Sequence, residues 1–191
     1  MIGEATLDSR VAVQATAMRD TFLDLIAQYE PALRRLAGAY LDQPSDRDDL
    51  FQEIAVALWQ ALPKYRGESS QRTWLYRVAH NVAISYVVRF RRRRRSEEEM
   101  PENFEFPSAH AGAEDSLLQA EKARLLNTSI RGLGTVDRQI VVLHLEGLSY
   151  AEIEEVAGRS QTAIATRLTR AREKLKQNIR AAGRNSDERS R

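Results

Sequence analysis

Arg72-Thr73-Trp74-Leu75-Tyr76-Arg77-Val78-Ala79-His80-Asn81-Val82-Ala83-Ile84-Ser85-Tyr86-Val87-Val88-Arg89-Phe90 runs without a glycine or proline into five consecutive arginines, Arg91 to Arg95. Nothing in it interrupts a helix. At about 100° per residue, Leu75, Val78, Ala79, Val82, Tyr86 and Phe90 share one side, the core face. Trp74 falls at the edge of that stripe. The spacing places Tyr76, Arg77, His80 and Asn81 on the opposite side, with Arg89 to Arg95 as a basic handle. Rings stack on unpaired bases, an amide bonds base edges and guanidinium groups hold phosphates. An amphipathic helix with a solvated charged end has the same periodicity, so pattern alone leaves both readings open.

Upstream, residues 1–18 are small and polar and read as a loosely ordered N-terminus. A first helix is expected from about Arg19 to Ala39, with Phe22, Leu25, Ile26, Tyr29, Leu33 and Leu36 on one stripe and Pro31 interrupting it. Asp42-Gln43-Pro44-Ser45-Asp46 is a turn in which Ser45 can cap the next helix, about 46–61. That helix places Leu50, Phe51, Ile54, Ala55, Leu58 and Leu62 on one side. Asp49, Gln52, Glu53, Val56 and Gln60 form the other. The loop Pro63-Lys64-Tyr65-Arg66-Gly67-Glu68-Ser69-Ser70-Gln71 then breaks the helix.

Downstream, residues 96–116 hold Pro101, Pro107, Gly112 and a run of Glu without periodicity, the composition of a flexible linker. Helices are expected again from Leu117 to about Arg131, ended by Gly132 and Gly134, and from a Thr135 cap to Gly147. Ser149-Tyr150-Ala151-Glu152 is a capping box, Gly158 a turn, and Ser160 a cap for a long helix with Ile164, Leu168, Ala171 and Leu175 at 4-3-4 spacing. This is a helix-turn-helix pattern. Its second helix would present Thr162, Ala163 and Thr166 to base edges and Arg167, Arg170, Arg172 and Lys174 to phosphates. An ordinary helical hairpin with a basic surface is the plainer alternative. Residues 181–191 are polar and charged and read as a disordered tail.

The charge distribution supports nucleic-acid binding. Residues 1–95 carry 15 basic and 11 acidic side chains, a net of +4; residues 96–119 carry seven acidic and no basic ones; residues 120–191 carry 14 basic and nine acidic, a net of +5. Two basic blocks flank an acidic connector, as in a protein with two nucleic-acid-binding modules. The absence of cysteine excludes a disulfide framework, and His80, His110 and His144 show no metal-ligand spacing. No run approaches the roughly 18 apolar residues of a membrane span, and the N-terminus lacks the pattern of a signal peptide. The expectation is therefore a cytoplasmic, all-α protein with two small helical domains, no cofactor and no metal.

The residues Asp49-Leu50-Phe51-Gln52-Glu53, Leu58-Trp59, Tyr65-Arg66-Gly67-Glu68-Ser69-Ser70, Thr73-Trp74-Leu75-Tyr76-Arg77-Val78-Ala79 and Asn81 resemble a bacterial sigma factor of the extracytoplasmic-function (ECF) type. Leu145-Glu146-Gly147-Leu148-Ser149-Tyr150-Ala151-Glu152-Ile153 and Arg167-Leu168-Thr169-Arg170-Ala171-Arg172 resemble that group's C-terminal helix-turn-helix. The resemblance covers roughly residues 20–95 and 117–178. It implies a non-catalytic promoter-specificity subunit of bacterial RNA polymerase. Residues 19–95 would be domain 2, with Asp49, Leu50, Gln52, Glu53, Val56 and Gln60 binding the clamp coiled coil of the core enzyme. Arg66, Trp74, Tyr76, Arg77, His80, Asn81, Arg89, Arg91 and Arg92 would bind and open the minus-ten element. Residues 117–180 would be domain 4, reading the minus-thirty-five element near the polymerase flap. The acidic linker would thread past the polymerase active centre, and an anti-sigma factor is a further partner in such systems.

Some positions depart from the family pattern. Gln71 and Ser85 bear on the preferred minus-ten sequence, and Ala55 is smaller than usual. Glu154 and Arg159 stand where a small and an aliphatic residue are usual, which predicts an ion pair across the Gly158 turn. Two other classes fit less of the chain. A helix-turn-helix regulator explains residues 117–178 but not the arginine-ended helix. A nuclease built on Glu53, Glu68 and His80 lacks any metal motif or nucleophile–base arrangement.

Overall fold

The computed structural model describes the backbone of residues 4–97 and 114–189, and the side chains of residues 16–93 and 122–181. All described elements are helical: α1 (Glu4–Tyr40), α2 (Pro44–Ala61), a 3-10 turn (Leu62–Lys64), α3 (Gln71–Glu97), α4 (Glu114–Arg131), α5 (Thr135–Leu145), α6 (Tyr150–Ala157) and α7 (Gln161–Arg189). Helices α1 to α3 form one unit, and α4 to α7 a second.

Local chemistry explains most boundaries. Pro44 opens α2 at its first turn, where its missing N–H is no loss and its fixed φ is already helical. Gln43 therefore holds the N-cap position without a side-chain bond, and Ser45 lies inside the helix instead of capping it. Ser70 caps α3, its Oγ accepting from the Thr73 N–H at 3.0 Å. Gly134, not Thr135, stands at the N-cap of α5. The capping box at Ser149 and Glu152 is complete, and Gly158 ends α6 at φ 62°. Ser160 Oγ accepts from the Ala163 N–H at 3.4 Å at the start of α7.

Other boundaries differ from the sequence expectation. Helix α1 starts at Glu4, within the stretch read as loosely ordered, and continues through Pro31 to Tyr40. An interior proline costs about 3 kcal/mol. The residues just beyond it, Ala32, Leu33, Leu36 and Ala37, are all buried. Each fully buried leucine contributes roughly 1.5–3 kcal/mol, which outweighs the lost hydrogen bond. Helix α4 begins at Glu114, three residues before the expected start, and α7 carries helical backbone past residue 181 to Arg189. The central part of the acidic linker, residues 98–113, lies outside the described residues.

The core of the first unit is Leu25, Leu33, Leu36, Leu50, Ile54, Leu58, Leu75, Ala79 and Ala83. The second unit buries Ile130, Leu133, Ile140, Leu143, Ile153, Ile164, Leu168 and Ala171. The two sets belong to one connected cluster of buried side chains. The units are thus packed against each other: α1 meets α4 and α5, and α3 meets α5 and α6. Two domains on a flexible tether would not by themselves imply this closure.

Candidate nucleic-acid interface

Helix α3 is covered on two sides. One side rests on α2 and α1, as its apolar stripe requires; the other meets α5 and α6 of the second unit. Tyr76 and His80, expected on an open face, are 1% and 0% exposed: Tyr76 meets Glu146 of the second unit, whereas His80 packs on Tyr40 of α1 within its own unit. The His80 Nδ1 and the Tyr40 hydroxyl share a hydrogen bond of 3.0 Å, while His80 Nε2 is buried without a partner. Burial holds His80 neutral, with its pKa pushed down to about 3. The Tyr76 hydroxyl donates to Glu146 Oε2 at 3.2 Å, and burial together with that carboxylate pushes the phenol pKa up.

Arg77 is half-buried, with its guanidinium 3.8 Å from Glu155 of α6 and its Nε without a partner. Trp74 is half-buried and lies against Tyr65, with ring centroids 5.0 Å apart. The Tyr65 hydroxyl in turn donates to the Ser69 carbonyl at 2.7 Å, which ties the loop to the start of α3. Arg66, Asn81, Arg89, Arg91 and Arg92 are exposed. Of the nine residues expected at the minus-ten element, two are thus inaccessible in this closed arrangement.

The second face of α2 is open. Asp49, Gln52, Glu53, Val56 and Gln60 are all exposed, Val56 at 55%. Leu50 is not among them: it is wholly buried beneath α2, so it supports this surface and does not form it. The exposed side chains line one wall of a groove whose other wall is Asn81, Ser85, Tyr86, Arg89 and Arg93 of α3. Arg89 crosses the groove and forms an ion pair with Glu53. The polymerase-facing and DNA-facing candidates therefore share one surface.

In the helix-turn-helix, α6 packs on α7 with Ile153 and Val156 against Ile164 and Leu168 in the core. Thr162, Thr166, Arg170, Arg172 and Lys174 are exposed, and Ala163 is half-buried. The Thr166 hydroxyl donates to the Thr162 carbonyl at 3.0 Å, which uses its proton within the helix. Arg167 donates to Asp137 Oδ1 at 2.6 Å, and Arg172 lies 3.0 Å from His144 Nε2. The expected Glu154–Arg159 pair is absent: Glu154 Oε2 accepts from Gln161 Nε2 at 3.0 Å, and Arg159 is exposed. Gln161, the first residue of the next helix, offers Glu154 a neutral partner.

Three residues that the sequence reading passed over are central to the closure: Arg35, Arg72 and Glu146. Arg35 Nε and a terminal guanidinium nitrogen donate to the two carboxylate oxygens of Glu146 at 2.8 and 2.6 Å. Arg72 donates to the Glu146 carbonyl. Nothing local marks Arg35, and Glu146, though part of the helix-turn-helix motif, reads locally as an ordinary solvated charge. Arg131 makes a second link from α4 to the end of α1, donating to the Gly38 carbonyl at 2.9 Å and to Asp42 at 2.6 Å. Among the described residues there is no group of acidic, histidine or cysteine side chains that could hold a metal, and no helix long and apolar enough to cross a membrane.

Two family models match the chain, Sigma-70 region 2 over residues 25–96 and Sigma-70 region 4 over residues 123–175. The chain belongs to the sigma-70 family of RNA polymerase sigma factors, in its ECF group. It is 32% identical to the ECF RNA polymerase sigma-E factor of Escherichia coli K12 over 158 residues, covering 79% of this chain and 82% of that one. To the sigma-E factor of Haemophilus influenzae it is 30% identical over 162 residues, covering 81% and 85%. Two solved structures share the fold, each with a TM-score of 0.62. CnrH in complex with the cytosolic domain of CnrY is 24% identical, with 87% of this chain and 94% of that chain covered. RpoE in complex with the anti-sigma factor NepR from Bartonella quintana is 21% identical, with 84% and 97% covered. The chain is a sigma factor for promoter-specific transcription initiation by RNA polymerase.

Proposed function

We propose that the two helical units divide that task, with residues 19–95 as the domain that docks core polymerase and opens the minus-ten element, and 117–180 as the domain that reads the minus-thirty-five element. Asp49, Gln52, Glu53, Val56 and Gln60 form the docking face. Arg66, Trp74, Arg77, Asn81, Arg89, Arg91 and Arg92 engage the minus-ten strand, joined by Tyr76 once the units separate. Thr162 and Ala163 contact base edges, and Arg170, Arg172 and Lys174 contact phosphates. The observation that carries this reading is the shared groove, in which the exposed polar face of α2 stands opposite Asn81 and Arg89 of α3. A polymerase helix pair seated on α2 would hold the strand-binding residues beside the DNA that the enzyme melts.

The chain itself carries out no chemistry and acts in the cytoplasm, where the polymerase is. An anti-sigma partner is part of the proposal, supported by the structural neighbour RpoE being in complex with the anti-sigma factor NepR. Core polymerase programmed with sheared genomic DNA, with and without this chain, tests the whole assignment. A discrete set of new transcript 5′ ends supports it, and an unchanged set removes it.

A further inference from the structure

Glu146 stands at the C-terminal cap of α5, in the connection to α6, and its side chain is only 9% exposed. Its two oxygens take a two-pronged grip from Arg35 at 2.8 and 2.6 Å, and Oε2 also accepts from the Tyr76 hydroxyl at 3.2 Å. Arg72 completes the enclosure through the backbone carbonyl, lying against Gly147, where a Cβ would come within 3.4 Å of its guanidinium. All three donors, Arg35 of α1 and Arg72 and Tyr76 of α3, belong to the first unit; the anion comes from the second. The same interface places Glu155 3.8 Å from Arg77.

A fork of guanidinium donors accepts two oxygens of a planar carboxylate or of a phosphate in the same geometry. Arg77, the neighbour of Tyr76 on α3 and one of the residues assigned to the minus-ten strand, meets Glu155 at the same interface, so the fork opens on the side of α3 that carries that assignment. We propose that Arg35, Arg72 and Tyr76 are a binding site for a backbone phosphate of promoter DNA, and that Glu146 occupies it as an internal substitute while the two units are closed. The inference rests on the assignment of α3 to promoter DNA. The exchange is balanced in charge: one anion leaves the donors and another takes its place. Closure and DNA binding at this point exclude each other, because the fork has room for one pair of oxygens.

The test uses the full chain without polymerase and a fluorescein-labelled single-stranded DNA of mixed sequence, about 20 nucleotides long, with affinity followed against salt. Glu146→Gln removes the competing anion but leaves the donors. It is expected to tighten binding about tenfold at low salt and to steepen the salt dependence by about 0.7, the increment for one phosphate on a single strand. Arg35→Gln breaks the same contact between the units but removes the fork, so neither it nor the Arg35→Gln/Glu146→Gln chain gains affinity. Circular dichroism verifies the fold, with Glu146→Ala as the second variant should Glu146→Gln be unstable. Wild-type affinity in the Glu146 variants overturns the proposal. So does an equal gain in the Arg35→Gln chain, which would mean that closure merely blocks DNA elsewhere. The transcription assay is independent: if it fails while this pattern of affinities holds, the function reading falls and the phosphate site stands.

Discussion

Arg89 of α3 reaches across the groove to Glu53 of α2, and the two form an ion pair at the mouth of the docking face. Both side chains are about half exposed, 54% and 47%, so the pair contributes roughly 0–1 kcal/mol to stability. Its importance is positional. It joins a residue assigned to polymerase with one assigned to DNA.

Reversing the charge of the docking face is expected to separate binding from folding. The Asp49→Lys/Glu53→Lys chain should lose core-polymerase binding in a pull-down while its thermal unfolding shifts by only a few degrees, as a surface change of about 1 kcal/mol predicts. Retained polymerase binding would remove the face from the proposal.

On α3, Asn81→Ala should impair open-complex formation on duplex promoter more than on a pre-melted bubble, with permanganate reactivity as the readout. Tyr76 calls for a gentler change. It is almost fully buried, so Tyr76→Ala would open a cavity costing about 3–5 kcal/mol. Tyr76→Phe removes only the hydroxyl donated to Glu146. Equal losses on duplex and bubble templates would assign Asn81 a role other than strand opening.

His80 makes stability depend on acid. Its folded pKa, about 3, lies below the ordinary histidine value of 6.5 because burial disfavours the charged ring. The unfolded chain therefore binds a proton that the folded chain refuses. The contribution is fully present above about pH 6.5 and is lost as pH falls from there toward 3, at up to about 1.4 kcal/mol per pH unit. Urea unfolding at pH 7 and pH 5 should show a smaller difference for His80→Gln than for wild type. Identical differences would mean that the ring is protonated in the folded protein.

In the second unit, phosphate and base contacts should separate by their salt dependence. Arg170→Ala is expected to weaken duplex binding on all sequences and to reduce the salt slope by about 1, whereas Thr162→Val should change preference at one base pair with the slope unchanged. Arg167 is held by Asp137 at 2.6 Å, so Arg167→Ala should cost less DNA affinity than Arg170→Ala. The measurement is anisotropy titration of the polymerase-free chain on duplex DNA.

The helix-turn-helix frame has its own check. Ser149→Ala removes the acceptor for the Glu152 N–H and the partner that, with the Ser149 backbone N–H, draws the Glu152 carboxyl below its usual range. A loss of about 1 kcal/mol is expected near neutral pH. The difference should narrow as pH falls through the folded pKa of Glu152, because the Ser149 hydroxyl's bond to Glu152 Oε2 at 2.8 Å favours the ionised carboxyl. A constant difference down to acid pH would show that the carboxylate has no part in the cap.

By itself the sequence determined the helices, the capping box, the Gly158 turn, the family and the open face of α2. These depend on signals within a few residues: a hydroxyl three positions from a carboxylate, a glycine where φ is positive, an apolar stripe every third or fourth residue. Local rules failed where packing overrode them, as at Pro31, where buried leucines hold α1 together. They also failed where a neighbour offered a better partner, as when Gln161 takes Glu154 from Arg159. The closure of the two units was decided only by tertiary structure. Arg35 and Glu146 are 111 residues apart, and no local signal pairs them. Their contact buries Tyr76 and turns an apparent DNA-binding face into an internal one. Periodicity shows how many faces a helix has, but which are covered depends on long-range shape and charge that no window of sequence contains.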